Sequence, residues 1–111
     1  MYKINELEFK DIKVEISDDI AYVAIMRPQV MNALTRNTKK ELVDFFLHAH
    51  GTEEFKVVIL TGAGDRAFCA GTDLKDMAGF SPIDAEQMLR LEHSLNNSIR
   101  YCSKPVIAAV N

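Results

Sequence analysis

Two short segments near the start of the chain carry the pattern of β-strands. Ile12, Val14 and Ile16 alternate with Lys13 and Glu15, which is the period of a half-buried strand. Ile20 to Met26 is rich in β-branched and aromatic residues, which favour strands. Ser17-Asp18-Asp19 between them has turn chemistry. We therefore predict a hairpin that ends at Arg27-Pro28, because proline cannot donate to a strand ladder.

A first helix is predicted from residues that recur with helical spacing. Lys39 to His50 carries the pattern, and Thr35 or Asn37 precedes it as a candidate N-cap. Gly51 is the expected stop signal. The apolar face of this helix contains Leu42, Phe46 and Ala49.

A second helix is predicted to start at Ser81 or Asp84 and to be broken by Pro105. Its apolar side chains are Met88, Leu91, Leu95 and Ile99. Lys56 to Thr61 and Val106 to Val110 are short, almost wholly apolar runs, as in strands buried in a parallel sheet. The order hairpin, helix, strand, helix, strand predicts an α/β fold with parallel strands.

Composition narrows the classes of protein that remain. The chain has 111 residues, the size of one domain, and a formal net charge of −3, which gives no basis for nucleic-acid binding. The longest uncharged apolar run, Ile20 to Met26, is far shorter than the ~20 residues that span a bilayer. The residues Met1 to Glu6 do not resemble a secretory signal, and Cys69 and Cys102 alone make no disulfide framework. We expect a cytoplasmic protein without a membrane partner.

A glycine-rich turn after the third predicted strand superficially matches a dinucleotide-binding motif. Gly62, Gly64 and Ala67 have the required spacing, and an NAD-dependent oxidoreductase is the class that this spacing would indicate. The residues after Ala67 lack the apolar face of a helix, and no acidic residue ends a following strand. We therefore interpret these glycines as a turn.

The segment Ala70 to Asp73 leaves two interpretations open. Its small side chains let a ligand approach the backbone, where a peptide N–H can stabilise negative charge on a carbonyl oxygen. The alternative is a surface turn in which glycine only satisfies a positive φ, and spacing alone favours this alternative.

Three motifs together resemble the enoyl-CoA hydratase/isomerase (crotonase) superfamily. They are Arg27-Pro28 with Asn32-Ala33-Leu34, then Val57 to Leu74, then Lys104 to Asn111. The resemblance covers essentially residues 1–111 and matches the N-terminal part of a crotonase-like domain, whose C-terminal part is absent. It implies an incomplete spiral of ββα units, and it reverses the preference for a simple turn.

The resemblance implies a role for each residue of these motifs. The backbone N–H of Thr72 would be the first of two oxyanion-hole donors to a thioester enolate. Lys75 would approach the phosphates of coenzyme A, and residues 77–82 would cover the acyl pocket. The other residues implied in binding acyl-CoA are Ala70 (through its backbone, at the adenine), Gly71, Asp73 and Leu74, with Arg27, Asn32, Ala33 and Leu34 lining the outer groove.

The resemblance also implies what this chain lacks. In the family, the second donor and the acid/base carboxylates lie beyond Asn111, so we expect the chain alone to be inactive and the parent protein to be a lyase or isomerase of fatty acid metabolism. The parent is expected to take acyl-CoA as substrate, without a further cofactor, and to form a trimer or hexamer. A non-catalytic CoA-binding or subunit-pairing module is the alternative. The acyl chain, and the choice among hydratase, isomerase, hydrolase and dehalogenase, stay open.

Other reactive residue types have simpler explanations. His93 is expected to be an exposed helix residue, and Cys69 a small buried one rather than a nucleophile. Asp73 and Asp76 are expected to cap the turn after Thr72. No cluster has the spacing of a metal site.

Overall fold

In the computed structural model, which describes residues 3–111, four strands and two long helices follow one another in the predicted order. Met1 and Tyr2, which belong to the segment compared above with a secretory signal, lie outside the described residues. The strands are β1 (Ile12–Ser17), β2 (Ile20–Ile25), β3 (Val57–Gly62) and β4 (Val106–Ala108), and the helices are α1 (Arg36–Gly51) and α2 (Pro82–Arg100). Short 3₁₀ turns cover Ile4–Glu6 and Pro28–Val30.

The strands form one mixed sheet in the order β1-β2-β3-β4. β1 and β2 are antiparallel, whereas β3 and β4 add to the sheet in parallel. Asp18 and Asp19 join β1 to β2 with φ angles of 52° and 65°. Two consecutive left-handed residues match the twist of a two-residue hairpin, and aspartate tolerates this conformation. The α/β class with a hairpin and parallel strands is therefore confirmed.

α1 packs on one face of the sheet and supplies two of the largest side chains of the core, the rings of Phe45 and Phe46. Its aromatic side chains are fully buried: the ring centroids of Phe45 and Phe46 lie 5.1 Å apart edge to face, and Phe45 stacks on Phe55 at 5.8 Å. The sheet contributes small and branched side chains that alternate with outward-facing ones, as the period of two requires. The buried cluster includes Ala21, Val23, Leu42, Ala49, Val58, Leu60 and Leu95.

α2 packs against α1, and both helices begin with a capping box. The Thr35 and Ser81 hydroxyls accept hydrogen bonds from the amides of Thr38 and Asp84. Both N-cap residues were among the predicted alternatives. The predicted end of α1 is confirmed, because the helix ends at Gly51. The predicted end of α2 was wrong, because this helix ends at Arg100, before Pro105 is reached. Within residues 3–111, no helix is long and apolar enough to cross a membrane.

β4 is shorter than predicted and lies at the edge of the sheet. Its ladder with β3 ends at Ala108, and beyond this point the Thr61 hydroxyl donates to the Ala109 carbonyl at 2.9 Å. The Ala109 amide also donates to the Leu60 carbonyl at 2.8 Å, so the chain beyond Ala108 stays attached to β3, although β4 is shorter than the apolar run to Val110 predicts.

Candidate functional site

The two motifs that the sequence placed in one site lie side by side. Leu34 and Thr72 form a parallel bridge outside the sheet. The Leu34 amide donates to the Gly71 carbonyl at 2.8 Å, and the Asp73 amide donates to the Leu34 carbonyl at 2.9 Å. Ala70 is attached to the same segment through its amide, which donates to Met31 at 3.0 Å. The bridge fixes the backbone on both sides of Thr72.

The amide of Thr72 takes no part in this bridge. Successive N–H groups of an extended chain point to opposite sides, so it faces away from Leu34. Across residues 3–111, it donates no hydrogen bond. Gly71 before it has a φ of 103°, a conformation that L-residues with a side chain rarely adopt. The chain therefore presents an unpaired backbone donor at the position that the sequence singled out.

Arg27 and Asp73 form an ion pair that joins the two loops. Their Nη2 and Oδ2 atoms are 3.1 Å apart, and Arg27 also donates through Nη1 to the Ala33 carbonyl. Burial raises the pKa of Asp73, but the hydrogen bonds from Arg27 and from the Lys75 and Asp76 amides outweigh it and hold the pKa below its ordinary value of 3.8. Both side chains are committed to neighbouring protein groups, and their contact with coenzyme A stays a prediction.

Asn32 is buried among the loops, with 1% of its surface exposed. Its Oδ1 accepts the Arg27 amide at 2.9 Å, and its Nδ2 donates to the carbonyls of Ala63 and Ala67 at 3.0 and 2.8 Å. The side chain holds three segments together, and its place in the outer coenzyme A groove stays a prediction. What the structure shows for Asn32 is a supporting role.

The glycine-rich turn makes a close backbone approach, not a phosphate site. A Cβ at Gly62 would stand 2.2 Å from the Phe68 carbonyl and 2.7 Å from Nδ2 of Asn32. Residues 67–81 are loop and turn, so no helix N-terminus follows β3 where a pyrophosphate would need it. The interpretation of these glycines as a turn is confirmed.

The remaining predicted binding residues divide by exposure. Ala70, Leu74 and Lys75 are exposed, Leu74 to 79%. Ala33, Leu34 and Gly71 are half-buried in the loops around the bridge.

The two aspartates differ in function. Asp73 caps the turn as predicted, because its Oδ1 accepts the Lys75 amide at 2.9 Å. Asp76 does not cap this turn. Its Oδ2 accepts the Arg36 amide at 2.8 Å, which ties the turn to the start of α1. His93 is exposed and Cys69 is half-buried. Among the described residues, no group of acidic, His or Cys side chains could hold a metal ion.

Sequence reasoning missed two charged residues that contact Thr72. Lys39 of α1 donates through Nζ to the Thr72 hydroxyl at 2.8 Å and to Oε1 of Glu92 of α2 at 2.5 Å. The Thr72 hydroxyl in turn donates to the same Glu92 oxygen at 2.8 Å. Both residues stand on the apolar stripe of their helix, Lys39 three residues before Leu42 and Glu92 four after Met88. A charged residue among the apolar positions of a helix was the signal in the sequence that could have identified them.

Comparison with known proteins shows the family of this chain. The sequence profile of the family described as enoyl-CoA hydratase/isomerase matches residues 15–111. A probable enoyl-CoA hydratase of Rhodobacter capsulatus is 41% identical over 106 residues, which cover 95% of this chain and 40% of that protein. The chain belongs to the enoyl-CoA hydratase/isomerase family.

Solved structures show the same fold. An enoyl-CoA hydratase from Bacillus anthracis superposes with a TM-score of 0.87 at 30% identity, covering 92% of this chain and 40% of that one. DspI of Pseudomonas aeruginosa superposes with a TM-score of 0.90, covering 98% of this chain and 42% of that one. The two sequences are 24% identical, so this similarity shows the fold alone. The chain thus spans about 40% of the length of these relatives.

Proposed function

We propose that this chain supplies the CoA-thioester-binding loops and one oxyanion donor of an enoyl-CoA hydratase/isomerase-type enzyme. The observation that carries the proposal is the Thr72 amide, which is fixed by the bridge on either side and donates no hydrogen bond within residues 3–111. A thioester carbonyl oxygen placed against it accepts that bond. As the enolate forms, negative charge collects on this oxygen, and a preset donor of this kind is worth about 3 kcal/mol.

The exposed residues around the donor give the ligand its other contacts. Leu74 presents an apolar surface on the turn that follows the bridge, and the Lys75 ammonium beside it offers a charge for the phosphates of coenzyme A. Ala70 offers its main-chain carbonyl without a bulky side chain, since its amide donates to the Met31 carbonyl. Arg27, Asn32 and Asp73 act behind this surface by holding the two loops together.

Proton transfer is outside the capacity of this arrangement. In our proposal, the second oxyanion donor and the acid/base carboxylates come from the part of the relatives that this chain does not span. The chain alone therefore binds acyl-CoA without hydrating it. The parent enzyme is proposed to act in the cytoplasm on fatty acyl-CoA, without a further cofactor, and to form trimers or hexamers.

Calorimetric titration tests the binding half of this proposal. The folded chain is titrated with crotonyl-CoA, with free coenzyme A and with NAD. We expect crotonyl-CoA and coenzyme A to bind and NAD not to bind. Lys75→Met should weaken both CoA ligands by a similar factor, whereas Lys40→Met, an equally exposed lysine on α1, should not. A folded chain without affinity for crotonyl-CoA would overturn the proposal.

The absorbance of the conjugated enoyl thioester tests the catalytic half. We expect no loss of absorbance when crotonyl-CoA is incubated with the chain. Hydration by this chain alone would contradict the proposed need for further residues. Binding without turnover is expected both for a part of an enzyme and for a non-catalytic CoA-binding module. Restored turnover on addition of a polypeptide carrying the remaining length of a relative would separate the two, because a non-catalytic module gains nothing from it.

A further inference from the structure

A buried lysine contacts the residue that carries the proposed oxyanion donor. Lys39 is 2% exposed, although ammonium groups are among the costliest groups to remove from water. Within the described chain its Nζ has three neighbours: the Thr72 hydroxyl at 2.8 Å, Oε1 of Glu92 at 2.5 Å and Sδ of Met88 at 3.6 Å. Glu92 alone would suffice as the counter-ion of Lys39, so the additional contact with Thr72 needs its own explanation.

The hydroxyl of Thr72 is held from two helices at once. It accepts a hydrogen bond from Lys39 on α1 and donates one to Glu92 on α2 at 2.8 Å. The hydrogen bonds from Lys39 and Thr72 lower the pKa of Glu92 below its ordinary value of 4.5, so the carboxylate is charged at neutral pH. The two hydrogen bonds of the Thr72 hydroxyl, with the Lys39 ammonium and the Glu92 carboxylate, both involve a charged group and are therefore stronger than neutral ones.

A second restraint acts on the peptide that carries the Thr72 N–H. The Gly71 carbonyl lies in the same peptide plane as this N–H and accepts a hydrogen bond from the Leu34 amide, so the bridge holds the plane at one point. Gly71 is conformationally permissive and adds no restraint of its own. An oxyanion donor is effective only when its direction is set before the charge develops. The hydrogen bonds of the Thr72 side chain hold its Cα, which is a second point on the same plane.

We propose that Lys39 and Glu92 are positioning residues that hold the Thr72 amide in the direction of the thioester oxygen. This inference rests on the proposed function, because it assigns these residues to the same site. They contact the side chain of Thr72 and act on the ligand through it. The three side chains Lys39, Thr72 and Glu92 form a unit that the enolate meets already in place.

The test measures the polarisation of the bound carbonyl, which a purely structural ion pair would not change. Crotonyl-CoA labelled with ¹³C at the thioester carbonyl is bound to the chain, and its chemical shift is compared with that of the free ligand. Thr72→Val keeps the shape of the side chain and removes both hydroxyl bonds, while Thr72→Ser keeps the hydroxyl. Lys40→Met and Glu86→Gln, exposed residues on the same two helices, serve as controls.

We expect Thr72→Val to move the bound ¹³C shift toward the free value and to weaken crotonyl-CoA binding about two- to tenfold, the worth of one hydrogen bond. Its affinity for free coenzyme A should not change, and Thr72→Ser and both controls should match the wild type. Should Thr72→Val not fold, the double variant Lys39→Met/Glu92→Gln, which removes both charges together, must show the same loss of ¹³C shift.

Two results separate the failure of this inference from the failure of the proposed function. A wild-type ¹³C shift in folded Thr72→Val, or in the folded double variant if Thr72→Val does not fold, overturns the positioning role and leaves the oxyanion site standing. A wild-type chain that binds crotonyl-CoA with no change in ¹³C shift overturns the oxyanion site, and the positioning role with it.

Discussion

Asn32 shows how a single side chain determines the shape of the loops around the site. Its amide accepts from one main-chain group and donates to two others while almost wholly removed from solvent. Gly62 makes room for this arrangement, because a Cβ there would collide with it. The contact spans more than thirty residues of sequence, so it places the two loops in register with one another.

Asn32→Ala should destabilise the fold by about 1–3 kcal/mol, because it leaves buried carbonyl and amide groups without partners. Urea unfolding of the variant and of the wild type measures the loss. Asn96→Ala, an exposed asparagine of α2, is the matched control and should stay within about 0.5 kcal/mol of the wild type. Equal stability of the two variants would show that Asn32 does not hold the loops.

The lowered pKa of Glu92 makes the free energy of unfolding depend on pH in a definite direction. Its pKa is lower in the folded chain than its ordinary 4.5, because Lys39 and Thr72 donate to the charged form. The stabilisation is therefore fully present above pH 4.5 and is lost as the pH falls through the lower folded value. In Glu92→Gln this part of the acid-induced loss should disappear.

Thermal unfolding between pH 6 and pH 3 measures this dependence. Glu86→Gln is the control, since Glu86 lies on the same helix in an exposed pair with Arg90. If the wild type and Glu92→Gln lose stability in parallel over this range, Glu92 is not held in its charged form by Lys39 and Thr72.

At the scale of the element, the helices owe their starts to local chemistry. α2 begins with a capping box in which Ser81 accepts the Asp84 amide and Asp84 accepts the Ser81 amide. Ser81→Ala should destabilise the chain by about 1 kcal/mol. Ser94→Ala, in the exposed middle of the same helix, should be neutral or slightly stabilising because alanine favours helices. Melting temperatures from circular dichroism distinguish the two, and an equal effect of both changes would argue against the cap.

Elements were predictable from sequence to the extent that their causes are local. The period of two in β1, the apolar run of β3 and the helical spacing of α1 and α2 are properties of neighbouring residues, and each gave the correct type of element. The ends were less predictable. α2 stops at Arg100, although nothing in the sequence before Pro105 forbids another turn. β4 stops at Ala108, although the apolar run continues to Val110 and the Ala109 amide still donates to the Leu60 carbonyl.

The site was predictable only in part, for the same reason. Motif resemblance identified the segment around Thr72, and the bridge with Leu34 agrees with the pairing of motifs. It could not identify the contacts of Lys39 and Glu92, which are 53 residues apart and meet only when α2 packs on α1. Nor could it show that Asn32 is buried, because that depends on the path of two loops.

For the whole molecule, β4 is one of the two edges of the sheet and exposes apolar surface. It has no neighbour on its outer side among residues 3–111, and Ile107 on it is 52% exposed. An apolar edge strand is a template for pairing with a second chain.

Ile107→Lys should therefore reduce concentration-dependent self-association without a loss of fold. Sedimentation velocity at increasing concentration measures this effect. Ile83→Lys places the same charge on an exposed isoleucine of α2 and should leave association unchanged. Association that is equal in the wild type and both variants would show that the sheet edge is not the contact.

The backbone N–H of Thr72 is proposed to stabilise the charge that develops on the thioester oxygen. An amide-to-ester replacement at position 72 removes this donor and leaves the side chain in place. Chemical ligation at Cys69, three residues upstream, makes the replacement accessible, and the same change at exposed Leu74 is the control. With ¹³C-labelled crotonyl-CoA as ligand, we expect the ester at 72 to abolish the shift of the bound carbonyl signal and the ester at 74 to leave it unchanged. A wild-type shift with the ester at 72 would show that the Thr72 N–H is not the donor.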